Sequence, residues 1–493
     1  MGDERGRRVN VRPWRSPPVL AALTALALLV LLAGIALRFL ATSPLWLDEA
    51  QSVAISRLPL PQLFTALRED AAPPLYYLLL HGWMAVVGTS DLAVRALSGL
   101  FATAALPLFY QLAKRSGAGL VTLVLAAANP WLVRYATEAR PYALEVLLVL
   151  LGVLSLEGVY RRPGPARAGG LALVAGLLLL THYWSLFLYA VVGVGVLVAL
   201  LRTRSRAAGW SLAGLAAGSV LFVPWLPSFW YQTQHTGTPW TGRSGIEILP
   251  QVVAEWSTGG VGSSALVLVT WPLTGWGALA GGRRSRLLGA AGAATLLLAF
   301  AVAWLTRSAV VGRYTAIVVP LALLLLGAGA ALLPRLWSTL IVTGLVISWL
   351  AADTTLVTEQ RTDAGPVAAV LNRQVTDADT VIFCPDQLGP DIVRRLHAQP
   401  RLLSFPHQDS PGRLDWVDYA QRIDTQDPTR LAQQVAGDRG SGSVWLIPRY
   451  GFQPFGERCQ QLGVALQAAL GPARQLPVLG GQGGPETLWQ WPR

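Results

Sequence analysis

The chain has 493 residues, of which 53% are hydrophobic and 13% charged, with a formal net charge of +12. Long Leu/Ala/Val/Gly runs at that charge density exclude a soluble multidomain protein and indicate a polytopic membrane protein. Nearly all the positive charge is arginine, since Lys114 is the only lysine. Much of it lies in short clusters between apolar runs, the pattern of a topology signal and not of a nucleic-acid footprint.

Arg5, Arg7, Arg8, Arg12 and Arg15 precede the apolar run 19–40. That run is long enough to span and no A-x-A-like site follows it. Residues 1–18 therefore read as a cytoplasmic tail and the run as an uncleaved anchor. A crossing needs about 20 apolar residues. Spans are expected near 19–40, 92–113, 117–132, 141–159, 168–182, 185–201, 209–230, 262–281, 287–306, 315–333 and 336–352, about 11 in all. The basic clusters at Lys114–Arg115, Arg161–Arg167, Arg202–Arg206, Arg283–Arg286 and Arg335 share one side, the cytoplasm, only if residues 41–91 contain no crossing. The segment 73–87 is therefore expected to lie along the interface as a juxtamembrane helix. Residues 59–69 form a second such candidate, with Leu60, Leu63, Phe64 and Leu67 on one helical face. The polar break Thr181–Trp184 makes 168–201 a tight helical hairpin.

Residues 19–352 thus form the membrane domain, with 41–94 as its first external loop. The polar stretch 353–493 is expected to be an extracytoplasmic α/β domain. Its strand candidates are 379–384, 401–405 and 443–447, and its helices lie near 363–374, 387–398, 428–436 and 456–469. No Gly-rich phosphate loop stands in a strand–turn–helix context. An outside location permits a disulfide between Cys384 and Cys459 without establishing one.

The chemistry-bearing residues fall on the outer side of this topology. Asp48 and Glu49 follow the first span, where two carboxylates need partners or a task. One reading makes one of them a general base; the other makes them first-turn residues of a helix. Arg95 opens the second span and either snorkels to the interface or pairs with a loop carboxylate. Glu138 and Arg140 read first as a structural ion pair near Tyr142, and Glu69 and Asp70 as caps for the helix after Pro73–Pro74. His182 and Tyr183 interrupt an apolar run beside an external turn. Arg307, Arg313 and Tyr314 defy the charge bias of that face, and a forked guanidinium suits phosphate oxygens. Trp240, Arg243, Glu247, Glu255 and Trp256 lie in the external loop 231–261. No spacing indicates a metal site.

WLDEA after the first span, PPLYYLLLHGW, the R-A-L-S-G-L-F span, EARPYAL, THYWSLFLY and GRYTAIVVP, in that order, resemble the GT-C membrane glycosyltransferases. The similar branch holds protein O-mannosyltransferases and the bacterial aminoarabinose transferase, over roughly residues 15–350. The resemblance implies sugar transfer from a polyprenyl-phosphate donor to a lipid, glycan or protein hydroxyl at the outer face of a bacterial plasma membrane. It implies no cofactor. It maps the catalytic base onto Asp48 or Glu49, a neighbouring arginine onto Arg95, and phosphate contacts onto Arg313 and Arg140. Ala72 departs from it, since the aminoarabinose transferase has a basic residue immediately before its PPL segment. A non-catalytic lipid-linked sugar transporter or an envelope scaffold is the competing reading, distinguished by product formation from purified protein.

Overall fold

The computed structural model describes residues 17–237, 248–306, 308, 310–409, 411–478 and 487–493. The N-terminal arginines, Trp240, Arg243, Glu247 and Arg307 lie outside them. Helix covers each of the predicted membrane segments. Among the described residues six helices are long and apolar enough to cross a membrane: Asp91–Ser116, Tyr142–Arg161, Ser185–Thr203, Arg206–His235, Gly282–Thr306 and Arg335–Thr358. Ala21–Leu37, Pro165–Leu179, Ser264–Ala280 and Val319–Leu332 are apolar but shorter. Length and composition therefore single out fewer crossings than the charge pattern led us to expect, although the protein remains a multi-pass membrane protein.

The segment expected as one straight span at 117–132 is two helices, Gly119–Ala128 and Pro130–Ala136, bent by 56°. Pro130 cannot donate a backbone hydrogen bond and disfavours helical geometry at Asn129, which is extended (φ −70°, ψ 122°). The Asn129 side chain accepts from Leu132 N and so caps the second helix. The freed carbonyls of the first helix are taken by Arg38, which donates to Ala126 O and Ala127 O at 2.7 Å each and to Gly34 O at 2.6 Å. Arg38 is buried, and Asp353 is the opposite charge nearby. Elsewhere, Val267–Ala280 and Val319–Leu332 touch backbone to backbone. A Cβ on Gly277 would meet Leu325 O at 1.9 Å, and one on Gly329 would meet Leu273 O at 1.9 Å.

The basic loops collect at one end of the bundle. Arg115, Arg284 and, from Glu157's own helix, Arg161 all pair with Glu157. At the other end lie the short helices Leu47–Ser56, Leu60–Asp70 and Leu75–Val87. Leu75–Val87 buries Tyr76, Tyr77, Leu80 and Met84. In Leu60–Asp70 only part of the expected apolar face turns inward: Leu63 is fully buried, whereas Phe64 is exposed and meets Trp225 with ring centroids 6.2 Å apart.

Five strands follow: β1 (Thr380–Cys384), β2 (Arg401–Ser404), β3 (Val444–Pro448), β4 (Arg474–Pro477) and β5 (Thr487–Trp491), in sheet order β2-β1-β3-β5-β4. β1 is parallel to β2 and β3, and β5 is antiparallel to β3 and β4. The first three occupy the predicted strand segments, while β4 and β5 were not expected. Alternation sends Val381, Phe383, Trp445 and Ile447 to one face, against Ala364–Gln374 and Ile392. It sends Ile382, Cys384 and Leu446 to the other, against Tyr419–Thr425, Pro428–Gly437 and Arg458–Leu470. Cys384 and Cys459 form a disulfide. The helix expected over 387–398 is only Gly389–Val393, because Arg394 and Arg395 leave it to bind Asp91.

The sheet layer is held on the external loop by specific polar contacts. Gln51 exchanges two hydrogen bonds with Leu414 (2.9 and 2.8 Å). Arg413 pairs with Glu69, and the Asp418 amide donates to His235 O. Glu69 and Asp70 therefore do not cap the helix after Pro74. They close Leu60–Asp70, and the start of Leu75–Val87 carries no side-chain cap. Replacing Arg38 with alanine should destabilise the bundle by roughly 1–3 kcal/mol per stranded group, since it leaves the buried carbonyls Ala126 O and Ala127 O without a donor. Thermal unfolding in detergent measures this, and Arg38→Lys, which cannot fork, should fall between the two.

Candidate active site

The first turn of Leu47–Ser56 separates two neighbouring carboxylates. Successive helical side chains diverge by about 100°, so one points inward and one outward. Glu49 is fully buried. Arg95 grips it with two hydrogen bonds, Nε to Oε1 at 2.7 Å and Nη2 to Oε2 at 2.5 Å, and Ala139 N donates to Oε1 at 2.9 Å. Arg95 also donates to Ser43 O and Pro44 O. It pairs with a loop carboxylate and does not reach the interface.

Asp48 faces open space. Its Oδ2 lies 3.3 Å from Arg313 Nη2 and 4.0 Å from Arg140 Nη2. Arg313 comes from the short turn Gly312–Ile317, where its guanidinium sits 5.5 Å from the Trp46 ring and 5.7 Å from the Tyr314 ring. Arg140 donates to Ser52 Oγ at 3.2 Å and Tyr77 Oη at 3.3 Å. Burial lowers the pKa of both guanidinium groups, but their negative neighbours more than offset it. Asp48 is the leading carboxylate for Arg313, and Asp48 and Asp70 are the carboxylates beside Arg140, so both end above the usual arginine value. They are fixed cations.

Around this core the other predicted residues divide. Tyr314 packs on His182 at 5.3 Å between ring centroids, and His182 on Tyr142 at 5.8 Å. His182 thus joins the site's aromatic wall, with Glu145 Oε1 3.9 Å from its Nδ1. Glu138 does not pair with Arg140. It binds Arg134 at 2.9 Å and lies 3.8 Å from Arg361, behind the site. Tyr183 is turned away, bonded to Gln232 and to Trp225 Nε1. Glu255 packs its carboxylate against Gly312, the residue before Arg313.

The Asp48 side chain opens on a cavity of about 350 Å³. Trp46, Asp48, Val311 and Arg313 form one wall. The other wall comes from the sheet layer, with Arg361, Gln387, Asp391, Trp416, Arg449 and Phe452. These residues were not singled out from sequence, because they carry no motif and lie far along the chain from Asp48. Arg361 is tied down by donating to Thr137 O and Thr137 Oγ1 at 2.8 Å each. Among the described residues no group of three His, Cys, Asp or Glu side chains is placed to hold a metal ion.

No family model and no curated protein sequence matches the chain. Solved structures do. ArnT from Cupriavidus metallidurans bound to undecaprenyl phosphate superposes with a TM-score of 0.59 at 12% identity, covering 96% of this chain and 97% of that one. The Archaeoglobus fulgidus oligosaccharyltransferase in complex with Zn and sulfate gives 0.51 at 10% identity, covering 93% and 73%. The mycobacterial arabinofuranosyltransferase AftD gives 0.50 at 15% identity, covering 97% of this chain and 40% of that one. At these identities the likeness is one of fold, which this chain shares with these three structures.

Asp70 links the external loop to Arg140, accepting from Gln51 Nε2 at 2.9 Å and Tyr77 Oη at 3.0 Å. Burial raises its pKa to about 6, against the opposing pull of Arg140 and those two hydrogen bonds. The folded state then holds the proton more tightly than the unfolded chain. Stability should fall as pH rises from the ordinary aspartate value of 3.8 to about 6, and level off above it. Melting curves across that window are expected to show the slope, and Asp70→Asn to remove it.

Proposed function

We propose that this protein transfers a sugar from a polyprenyl-phosphate donor to a hydroxyl acceptor, with inversion at the anomeric carbon. The observation that carries the reading is Asp48, a partly open carboxylate flanked by two fixed arginines at the mouth of a cavity, in a fold shared with a structure that binds undecaprenyl phosphate.

A phosphate leaving group bears its negative charge well and needs cations more than a proton donor. Arg313 and Arg140 supply them in a site poor in water, where such stabilisation is strongest. Arg313 pairs with Asp48. An incoming phosphate competes for that guanidinium and releases Asp48 to face the acceptor. Asp48 then accepts the hydroxyl proton as the new oxygen–carbon bond forms and the bond from carbon to phosphate oxygen breaks, a contribution of roughly 10²–10⁴-fold. The lipid phosphate departs intact and no cofactor enters. Glu49 and Arg95 act by holding the helix that carries Asp48. Tyr314 and His182 give the donor an aromatic wall.

The same proposal places the site on the outer face of a bacterial plasma membrane, with 11 crossings and the sheet layer as an extracytoplasmic domain from residue 353. Two observations support it. Arg115, Arg161 and Arg284 converge on Glu157 at the end away from Asp48, which fits a cytoplasmic face. The sheet layer carries a disulfide, which fits an oxidising compartment.

Asp48→Asn, with reconstituted lipid donor, should lose about 10²–10⁴-fold in turnover while still binding undecaprenyl phosphate. Wild-type turnover in that variant would remove Asp48 from the chemistry. For orientation, a cysteine introduced at the exposed Gln460 should react with a membrane-impermeant maleimide in intact cells. Labelling that requires cell lysis would put the sheet layer inside.

A further inference from the structure

The second wall of the cavity has a topology of its own. β1 lies between β2 and β3, all parallel. The connection from β1 to β2 carries Gly389–Val393, packed on the face of Val381 and Phe383. The connection from β2 to β3 carries Tyr419–Thr425 and Pro428–Gly437, packed on the opposite face. Connections that leave on opposite faces open a crevice outside the carboxyl ends of the two strands between them, and ligands of open α/β sheets sit there. Here the residues that follow β1, among them Gln387 and Asp391, and those that follow β3, Arg449 and Phe452, line the cavity that contains Asp48. The crevice of the sheet and the carboxylate of the membrane domain share one space.

The chemistry of this wall narrows its occupant. Trp416 and Phe452 offer aromatic faces, and the Arg449 guanidinium lies 5.1 Å from the Phe452 ring centroid. Gln387 donates through Nε2 to Tyr419 Oη, but its buried Oε1 accepts no hydrogen bond among the described residues. Asp391 accepts from Thr362 Oγ1 at 2.6 Å. Ring faces beside forked donors and short acceptors complement a sugar, whose C–H faces alternate with hydroxyl edges. A cavity of about 350 Å³ is at the small end of ordinary ligand sites. An extended peptide would need backbone partners along a strand edge. β1 and β3 have none to give at this end, since both are already paired on their two sides.

We propose that this crevice is the acceptor subsite and that the acceptor is a carbohydrate. The inference rests on the transferase reading above for its chemistry. A terminal sugar held against Phe452, Trp416 and Arg449 presents one hydroxyl to Asp48. That oxygen gives its proton to Asp48 and bonds to the donor's anomeric carbon as the carbon–phosphate oxygen bond breaks. The sheet layer thus selects the acceptor while the membrane domain activates it.

The test uses the full chain in lipid nanodiscs. The probes are tetrasaccharides of mannose, arabinofuranose and glucosamine, together with a threonine-rich peptide, with binding read by calorimetry and turnover read separately. At least one tetrasaccharide should bind. Arg449→Ala and Phe452→Ala should each weaken that binding by about tenfold, with undecaprenyl phosphate affinity and melting temperature unchanged, and Phe452→Tyr should restore it. Binding of the peptide alone, of no tetrasaccharide, or with equal strength in the two alanine variants overturns the assignment. A tetrasaccharide that binds through Arg449 and Phe452 in wild-type protein incapable of transfer would leave the subsite standing and remove the transferase reading instead.

Discussion

The bonded pair of Glu49 and Arg95 sets the geometry on which the site depends. Both side chains are buried, and Glu49 also takes an amide from Ala139, at the turn that carries Arg140. The pair therefore ties three pieces of chain together: the helix that bears Asp48, the start of Asp91–Ala113, and the loop before Tyr142–Arg161. Burying two charges costs several kcal/mol per ion unless geometry and additional hydrogen bonds offset it. Here both carboxylate oxygens and three nitrogens of the guanidinium are bonded. With Glu49 held inward, its neighbour has only the cavity to face.

The same division of labour recurs across the external surface. Arg134, Arg361 and Glu138 form a second charge cluster, which joins the turn of the bent span to the first residues of the sheet layer. Arg394 and Arg395 bind Asp91, and Arg413 binds Glu69. These contacts hold two chemically different halves in register. A cavity with walls from both halves keeps its shape only if they do not slide. Arg95, Arg134, Arg361, Arg394, Arg395 and Arg413 are therefore engaged in assembly, and Arg140 and Arg313 stand out because they converge on a carboxylate that is partly open.

The bend at Asn129 belongs to the same arrangement. An uninterrupted helix from Gly119 would carry Tyr135, Glu138 and Arg140 along the bundle axis. Pro130 ends it, Arg38 satisfies the carbonyls left behind, and the chain turns so that Arg140 comes beside Ser52 and Tyr77. An arginine buried at a helix break is structural here, although in an apolar segment it invites a functional interpretation.

Hydrophobic runs, proline and the spacing of basic clusters are local properties. They were enough to locate the helices, the short helices between residues 41 and 94, the hairpin break at Thr181–Trp184 and three of the five strands described. The resemblance to GT-C sequences added an expectation of fold, and the solved structures share that fold. Partner choice is not local. Sequence named Asp48 and Glu49 together, and only packing could divide them, because adjacent residues on a helix meet different surroundings. It read Glu138 with Arg140, whereas the turn between them sends one to Arg134 and the other toward Asp48. It placed Tyr183 beside His182, but that turn points one ring at Tyr314 and the other at Gln232 and Trp225. The cavity wall of Trp416, Arg449 and Phe452 was illegible for the same reason. Periodicity and composition record which face of an element is buried, whereas a site depends on which faces meet, and contacts between residues hundreds of positions apart settle that.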